Sequence, residues 1–375
     1  MWIIYEMRKW IIIILFAFTI ALVSSVPTLI VHVQDKGVYT QDRVVYTFVA
    51  YETHGISASD YVFPVAINTN FPAFHFFKNH DIYVASDPDC SFPVKYWVQY
   101  VSDTEVLIWV HVDTMNASAS TTFYVCASTS NPDPASGDPE INHMFMMFDN
   151  FDGNGYISWS FGGPGMVGNT VDPTTYVNNG ILTMIFRGKS LTEAGLVAGS
   201  VDIANTPYFI VLARMSATGG TGPGVVGGIY VNMSNFWVSL YVGNAYIEYT
   251  DPSYNGIYMF FSSSEFWSVT YTYPRYVATT LSNWVVMAEW NFYGNYPAVY
   301  PAVYDDYMNI ISYTSASLYY TGTSPRVGLF QLRWDDGIAR RKKNTIYVDW
   351  FAVIQYWGFP SLTYLGATVH ETLHG

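Results

Sequence analysis

Residues 345–356 have the sequence TIYVDWFAVIQY, a run of β-branched and aromatic residues with a single carboxylate, Asp349. Such residues fit the pleated, half-buried surface of a sheet, so the run predicts a β-strand. Shorter runs of the same kind, separated by Gly, Pro, Asn or Asp, recur along the chain from Arg43 onwards. The sequence therefore predicts an all-β protein.

The composition restricts the possible partners. Charged residues make up only 12% of the 375 residues, about half of the roughly 25% typical of globular proteins, whereas Tyr alone contributes 32. The net charge is -13, with 16 Lys and Arg in total. Phosphate binding requires clustered basic residues, so nucleic acid is not expected as a partner.

The N-terminal segment, residues 1–26, predicts a signal peptide or membrane anchor. Arg8 and Lys9 precede an apolar run at 10–23, and two small residues, Ser24 and Ser25, follow it. This order is typical of a secretory signal, and the apolar run is shorter than the roughly 20 residues of a spanning helix. A cleaved signal is the first interpretation and an uncleaved anchor the second. We expect an extracellular or cell-surface location, with membrane contact only through this segment.

The rest of the chain divides by composition. Residues 27–127 contain about six short apolar runs, which predict a small β-sandwich. Residues 128–140 are rich in Ser, Pro and Asp and predict a linker. Residues 141–360 contain about a dozen further runs, which fit a two-sheet jelly roll. Residues 361–375 are expected to be a C-terminal tail.

Two cysteines and two Asn-x-Ser motifs are candidates for covalent modification. Cys90 and Cys126 are the only cysteines, and in an exported chain this even count is compatible with one disulfide. The alternative is a pair of buried thiols, because sequence spacing does not fix the Cα separation that a disulfide needs. Asn116 and Asn232 fit the N-glycosylation pattern.

The first β-rich region resembles a known domain family. The resemblance covers about residues 44–149 and rests on the segments FPVAIN (63–68), DIYV (81–84), PVKYWV (93–98), IWVHV (108–112) and TTFYV (121–125). These segments are similar to a β-domain of unknown function that recurs in archaeal and bacterial surface proteins. The resemblance implies an extracellular location and no particular activity.

The second region resembles a concanavalin A-like or laminin-G-like jelly-roll sandwich. The similarity lies in FDNFDG at 148–153 and YVDWFAVIQY at 347–356, which are similar to the opening and closing strands of that fold. The expected fold is therefore a small β-sandwich followed by a concanavalin A-like jelly-roll β-sandwich.

The same resemblance implies a structural Ca²⁺. In laminarinase-like relatives an Asp of the closing strand binds calcium, and Asp349 falls at that position. Asp149 and Asp152 could supply further oxygens, because Ca²⁺ takes six to eight hard ligands. The alternative is that Asp349 caps a turn or pairs with an Arg.

Catalytic motifs are weak in this sequence. His370-Glu371-Thr372-Leu373-His374 matches the zinc-protease pattern, but no third ligand follows it and the segment is expected to fray. Glycosidases of the concanavalin A-like superfamily carry a Glu-x-Asp-x-x-Glu cluster. The nearby acidic candidates, Glu248, Asp251, Glu265 and Glu289, do not form it. We expect no enzymatic activity.

Aromatic rings beside amides and carboxylates are suited to stacking on sugar rings and bonding their hydroxyls. The predicted rim loops offer six candidate ligand-binding residues: Asn291, Tyr293, Asn295, Trp334, Asp335 and Asp336. The sequence thus favours a non-catalytic surface protein that binds a glycan or cell-surface ligand, or acts in adhesion. The alternatives are a self-associating structural subunit of an extracellular filament, envelope or virion and, third, a glycoside hydrolase.

Overall fold

The computed structural model describes residues 38–374 apart from sixteen gaps, and within 232–283 it describes only the strand backbone. The gaps are residues 56, 130–143, 154–156, 162–168, 171–173, 187–191, 220–224, 234–235, 245–254, 264–274, 279–283, 293–297, 314–315, 318–323, 334–343 and 356–358. The predicted signal segment and most of the predicted linker lie outside the described residues. The chain forms one large unit, residues 41–371, and a small unit, of which only 38–40 and 372–374 are described, as strand ends.

The first sandwich has two antiparallel sheets and one short helix. One sheet has the order β24-β1-β6-β3 and the other β2-β5-β4. The elements are β1 (Val38–Tyr51), β2 (Ala58–Asn68), α1 (Phe74–Lys78), β3 (Asp81–Ala85), β4 (Tyr96–Val101), β5 (Glu105–Met115), β6 (Ser120–Ser128) and β24 (Ser361–His374).

Aromatic residues and a disulfide hold the first sandwich together. Phe48 on β1 and Phe123 on β6 stack at 5.5 Å between ring centroids, and Phe63 on β2 packs edge-on against Phe123 at 5.7 Å. All three are buried, and each such side chain contributes about 1.5–3 kcal/mol. The predicted disulfide is confirmed: Cys90 and Cys126 are bonded, with their Cα atoms 6.6 Å apart.

The segment expected to be a C-terminal tail is strand β24, which lies next to β1 in the sheet order. Leu362, Tyr364 and Ala367 pack against the core of the first sandwich. Arg43 Nη2 on β1 lies 3.2 Å from His370 Nε2 on β24. The chain therefore returns to the first sandwich after completing the second.

The second sandwich consists of two larger, mostly antiparallel sheets. A nine-stranded sheet has the order β10-β11-β23-β13-β18-β19-β20, with β7 on β23 and β21 on β19. An eight-stranded sheet has the order β17-β16-β15-β14-β22-β12-β8, with β9 on β12. The strands are β7 (Met147–Asp149), β8 (Ser160–Phe161), β9 (Asn169–Thr170), β10 (Thr174–Asn178), β11 (Ile181–Phe186), β12 (Thr192–Ser200), β13 (Tyr208–Gly219), β14 (Val225–Met233), β15 (Phe236–Asn244), β16 (Asn255–Ser263), β17 (Arg275–Ala278), β18 (Val285–Phe292), β19 (Ala298–Tyr304), β20 (Ile310–Tyr313), β21 (Ala316–Ser317), β22 (Arg326–Arg333) and β23 (Asn344–Gln355). The predicted all-β class and jelly-roll architecture are confirmed.

A bulge in β23 decides which face each of its side chains occupies. Arg214 of β13 pairs with Trp350 and Met215 with Val348, so Asp349 has no partner in the register. An extra residue reverses the alternation of a strand. Val348 therefore points into the core between the two sheets, whereas Trp350 points to the outer face of the nine-stranded sheet.

That outer face packs against the three-stranded sheet of the first sandwich through an aromatic seam, which we define as Trp97, Trp109, Phe145, Phe148 and Trp350. Trp350 meets Trp97 at 5.7 Å and Trp109 at 6.1 Å, both edge to face. Phe145 and Phe148 stack at 4.8 Å, and Trp109 Nε1 donates a hydrogen bond to Gln99 Oε1 at 2.6 Å. The residues are part of one apolar cluster that joins the two sandwiches.

Candidate functional site

An aromatic groove lies on the same outer face of the nine-stranded sheet, beyond the aromatic seam. Its volume is about 380 Å³, near the lower end of the roughly 300–1,000 Å³ typical of small-molecule sites. Strands β18, β19 and β20 and the β1–β2 turn of the first sandwich line it, through Trp290, Tyr300, Ala302, Tyr304, Ile310, Tyr313 and His54.

Strand alternation explains why aromatic rings gather on this face. Successive side chains of a strand point to opposite faces. In β19, Val299 and Val303 enter the core of the second sandwich, so Tyr300, Ala302 and Tyr304 point outward. The small Ala302 separates the two tyrosines.

The strand register then brings the rings together. Trp290 on β18 lies directly opposite Tyr300 on β19, and Ala302 lies opposite Tyr313 on β20. Directly paired aromatic residues are within contact range across two strands. The result is a row of rings that runs across three neighbouring strands.

The groove carries exposed apolar surface. Tyr313 is 73% exposed, Ile310 59% and Tyr300 40%. Single exposed apolar residues are ordinary on protein surfaces, but a contiguous set that lines a concave site is typical of binding surfaces.

The groove is nearly without charge. None of the described residues that line it is Asp, Glu, Lys or Arg. Burial raises the pKa of the Tyr304 phenol, and the neighbouring Trp290 indole partly offsets this effect. Tyr304 is therefore a neutral hydroxyl at physiological pH.

A buried carboxylate supports His54. Glu52 is fully buried, and its Oε2 accepts the backbone N–H groups of Gly55 and Ser118, each at 2.8 Å. Its Oε1 accepts the N–H of His54 at 2.5 Å and lies 3.4 Å from the Nδ1 of that ring. Glu52 thus joins the β1–β2 turn, which carries His54, to the β5–β6 turn.

Of the predicted ligand residues, Asn291 is the one that the structure describes, and it does not line this groove. Asn291 was expected in a rim loop, but it is a fully buried residue of β18, and its Nδ2 donates to the carbonyl oxygen of Glu289 at 2.9 Å. It points into the sandwich, whereas its neighbour Trp290 points outward. Tyr293, Asn295, Trp334, Asp335 and Asp336 lie outside the described residues.

The three predicted calcium ligands have other partners. Asp349 Oδ2 accepts from Arg214 Nη1 at 2.8 Å, and the same guanidinium binds both carboxylate oxygens of Asp306 at 2.9 Å. The alternative of an Arg pair is thus the arrangement found. Burial raises the pKa of Asp349, an effect that Arg214 opposes.

The opening acidic residues are engaged separately. Asp149 accepts from Trp159 Nε1 at 2.6 Å and from the Phe151 N–H at 2.8 Å, and Asp152 accepts from Asn150 Nδ2 at 2.6 Å. Burial raises the pKa of Asp149, which disfavours its charged form. Within the described part of the chain no three acidic, His or Cys residues cluster as a metal site. These residues do not fit the expected calcium site.

Among the described residues, the acidic candidates for glycoside hydrolysis include no carboxyl group that is accessible to solvent. Glu289 is fully buried and points into the second sandwich. Burial raises the pKa of its carboxyl well above the ordinary value, and the Asn291 amide partly offsets this. Glu248, Asp251 and Glu265 lie outside the described residues.

The zinc-protease motif occurs in a strand rather than a helix. Residues 370–374 belong to β24, where the residues i and i+4 are about 13 Å apart instead of one helical turn. His370 faces Arg43. The motif therefore lacks the helical geometry that a zinc site of this kind requires.

The glycosylation motifs differ in setting. Asn116 is exposed in the turn between β5 and β6. Asn232 lies within β14, in register with Trp237 of β15 and Arg326 of β22.

Among the described residues, no helix has the length and apolarity needed to cross a membrane.

Residues 78–162 match the family described as a domain of unknown function (DUF2341). This match covers β3–β6 of the first sandwich and the opening of the second, including four residues of the aromatic seam. The chain matches no curated protein.

Among solved structures, the chain is similar in fold to lectin-like domains. The carbohydrate recognition domain of Emp47p shares 9% identity over 56% of this chain and 94% of that domain, with a TM-score of 0.36. The legume lectin-like domain from Entamoeba histolytica shares 9% identity over 53% and 90%, with a TM-score of 0.35. Lectin II from Ulex europaeus shares 8% over 52% and 92%, with a TM-score of 0.37.

The sequence contained a partial signal for the groove. Residues 296–303 repeat Tyr-Pro-Ala-Val twice, which places Tyr300 on the same face as Ala302. Nothing in the sequence shows which face of a strand another domain will cover, so Trp290, Tyr313 and His54 could not be distinguished from core aromatics.

Proposed function

We propose that this chain is a non-catalytic extracellular or cell-surface protein that binds neutral carbohydrate through the aromatic groove. The observation that carries the proposal is the row of outward rings formed by Trp290, Tyr300 and Tyr313 on neighbouring strands. The apolar faces of sugar rings stack on such side chains, and the tyrosine hydroxyls can bond sugar hydroxyls.

Charge supports a neutral ligand. The described lining of the groove has neither acidic nor Lys or Arg residues, and the chain carries a net charge of -13. An anionic glycan would find no cationic partner in the groove and would be repelled by the whole protein. A cationic ligand would find no carboxylate in the lining.

A second candidate function is that of a self-associating structural subunit. The exposure of apolar residues on the edge strand β20 favours it. This edge strand exposes Ile311 at 48% beside Ile310. Apolar edge strands are prone to pairing with other chains. Self-association would then bury the groove instead of leaving it open to sugar.

Titration of the full chain with neutral hexaoses of glucose, mannose and xylose would test the proposal. We expect Tyr313→Ala and Tyr300→Ala each to weaken binding of the preferred hexaose by roughly 2- to 13-fold, because each removes about 0.5–1.5 kcal/mol of stacking. Tyr176→Ala is the matched control, because Tyr176 is 50% exposed on β10 at the opposite edge of the same sheet. Absence of binding, or equal losses from all three variants, would contradict the proposal.

A further inference from the structure

The aromatic groove has a component that the second sandwich does not supply. Six of the described lining residues come from β18, β19 and β20, and a seventh, His54, comes from the first sandwich. Among these seven residues, His54 is also the one that is neither aliphatic nor Tyr or Trp. The other six residues supply stacking surface and tyrosine hydroxyls, to which the imidazole adds a further directional donor or acceptor.

Hydrogen bonds to the buried Glu52 constrain the turn that carries His54. Burying a carboxylate is costly unless hydrogen bonds compensate for the lost water. Glu52 obtains that compensation from three backbone N–H groups, those of His54, Gly55 and Ser118. Gly55, with a φ of 74°, allows the chain to turn so that these N–H groups converge on one carboxylate.

The imidazole itself is also restrained. Its Nδ1 lies 3.4 Å from Glu52 Oε1 and 3.3 Å from Thr53 Oγ1. These contacts hold the Nδ1 edge of the ring toward the turn. Restraining a contact residue before the ligand arrives lowers the entropy lost on binding.

We infer that His54 is a ligand-contacting residue of the aromatic groove and that Glu52 is the residue that positions it. This inference rests on the proposed carbohydrate function. It makes the binding site a composite of both sandwiches, in which the first supplies a polar contact and the second supplies the stacking surface. The first sandwich would then contribute to ligand preference as well as covering part of the sheet.

The test is a set of titrations of the full chain with the neutral hexaose that binds best. We expect His54→Ala to weaken binding about tenfold, the equivalent of about one hydrogen bond, and His54→Gln, which keeps a donor and an acceptor, to restore most of the affinity. His75→Ala is the control, because His75 is exposed on α1 of the same sandwich. Equal affinities for wild type and His54→Ala, alongside a loss in Tyr313→Ala, would overturn the inference and leave the carbohydrate proposal standing.

A double-mutant cycle tests the role of Glu52. If Glu52 acts by positioning His54, Glu52→Gln weakens binding by itself but adds nothing to His54→Ala. Additive losses would mean that Glu52 acts on the groove in general, which would contradict its positioning role. If Glu52→Gln does not fold, Glu52→Asp replaces it in the same cycle. If no hexaose binds the wild-type chain, both proposals are wrong.

Discussion

The aromatic seam and the aromatic groove both involve the outer face of one nine-stranded sheet. Both are built from Trp and Tyr or Phe side chains that alternate with core residues along their strands. They differ in what covers them: the three-stranded sheet of the first sandwich buries Trp350 to 1% exposure, whereas Tyr313 remains 73% exposed. Residue type alone therefore does not separate a structural aromatic from a binding one.

The two regions are physically continuous. Trp290 of the groove packs edge-on against Phe359 at 5.3 Å, and Phe359 packs against Trp109 of the seam at 6.0 Å. The part of the sheet face that the first sandwich covers therefore ends at Trp290, and His54 lies at the border of that covered part. Substitutions in the seam should affect stability, and substitutions in the groove should affect binding.

The largest effect should come from Trp109→Ala in the seam. Trp109 is fully buried between the two sandwiches, and truncating a buried aromatic residue costs about 3–5 kcal/mol. Denaturant unfolding of the full chain would measure the loss. A decrease below about 1 kcal/mol would show that the seam does not stabilise the chain as its packing indicates.

A smaller effect is expected at the bulge beside Trp350. Asp349→Asn removes the charge that faces Arg214 at 2.8 Å, and we expect a loss of about 1–2 kcal/mol because Asp306 still neutralises the guanidinium. Melting temperatures with Ca²⁺ and with chelator should agree, since Asp349 already has a cationic partner. A calcium-dependent rise in wild type that Asp349→Asn abolishes would restore the calcium interpretation.

A carboxyl group at the start of β5 should make stability depend on pH. Burial and the nearby Asp305 raise the pKa of Glu105 to about 7 from 4.5. A raised carboxyl pKa means that the folded chain binds the proton more tightly than the unfolded chain, so this contribution to stability is lost as pH rises from about 4.5 through about 7. We expect the melting temperature to be higher at pH 5 than at pH 8, and Glu105→Gln to reduce the difference. An unchanged difference in the variant would exclude Glu105 as its source.

The smallest effect on stability should come from the groove. Tyr313→Ala removes a side chain that is mostly in solvent, and exposed substitutions usually change stability by less than about 0.5 kcal/mol. The same denaturant experiment as for Trp109→Ala measures it. A loss comparable to that of Trp109→Ala would mean that the groove is structural.

The sequence predicted the positions of the strands better than it predicted which strands pair and in what register. The run at 345–356 is β23, shifted by one residue, and the pair Cys90 and Cys126 forms the expected disulfide. The bulge at Asp349 depends on how β13 aligns with β23, and the strand pairing of residues 361–374 depends on the position of β1. Neither is a local property of the sequence.

The candidate site was harder to predict for the same reason. Asn291 and Trp290 are adjacent, yet one is in the core and the other in the groove, because neighbouring residues of a strand point to opposite faces. Choosing between them requires knowing which sheet face each occupies. That information comes from the packing of the two sandwiches.

The most direct test of the account is a crystal structure of the full chain with its preferred neutral hexaose. We expect sugar rings to stack on Tyr313 and Tyr300 in the aromatic groove, within hydrogen-bonding distance of His54. A sugar bound to the eight-stranded sheet, or a groove occupied by a second copy of the chain, would contradict it.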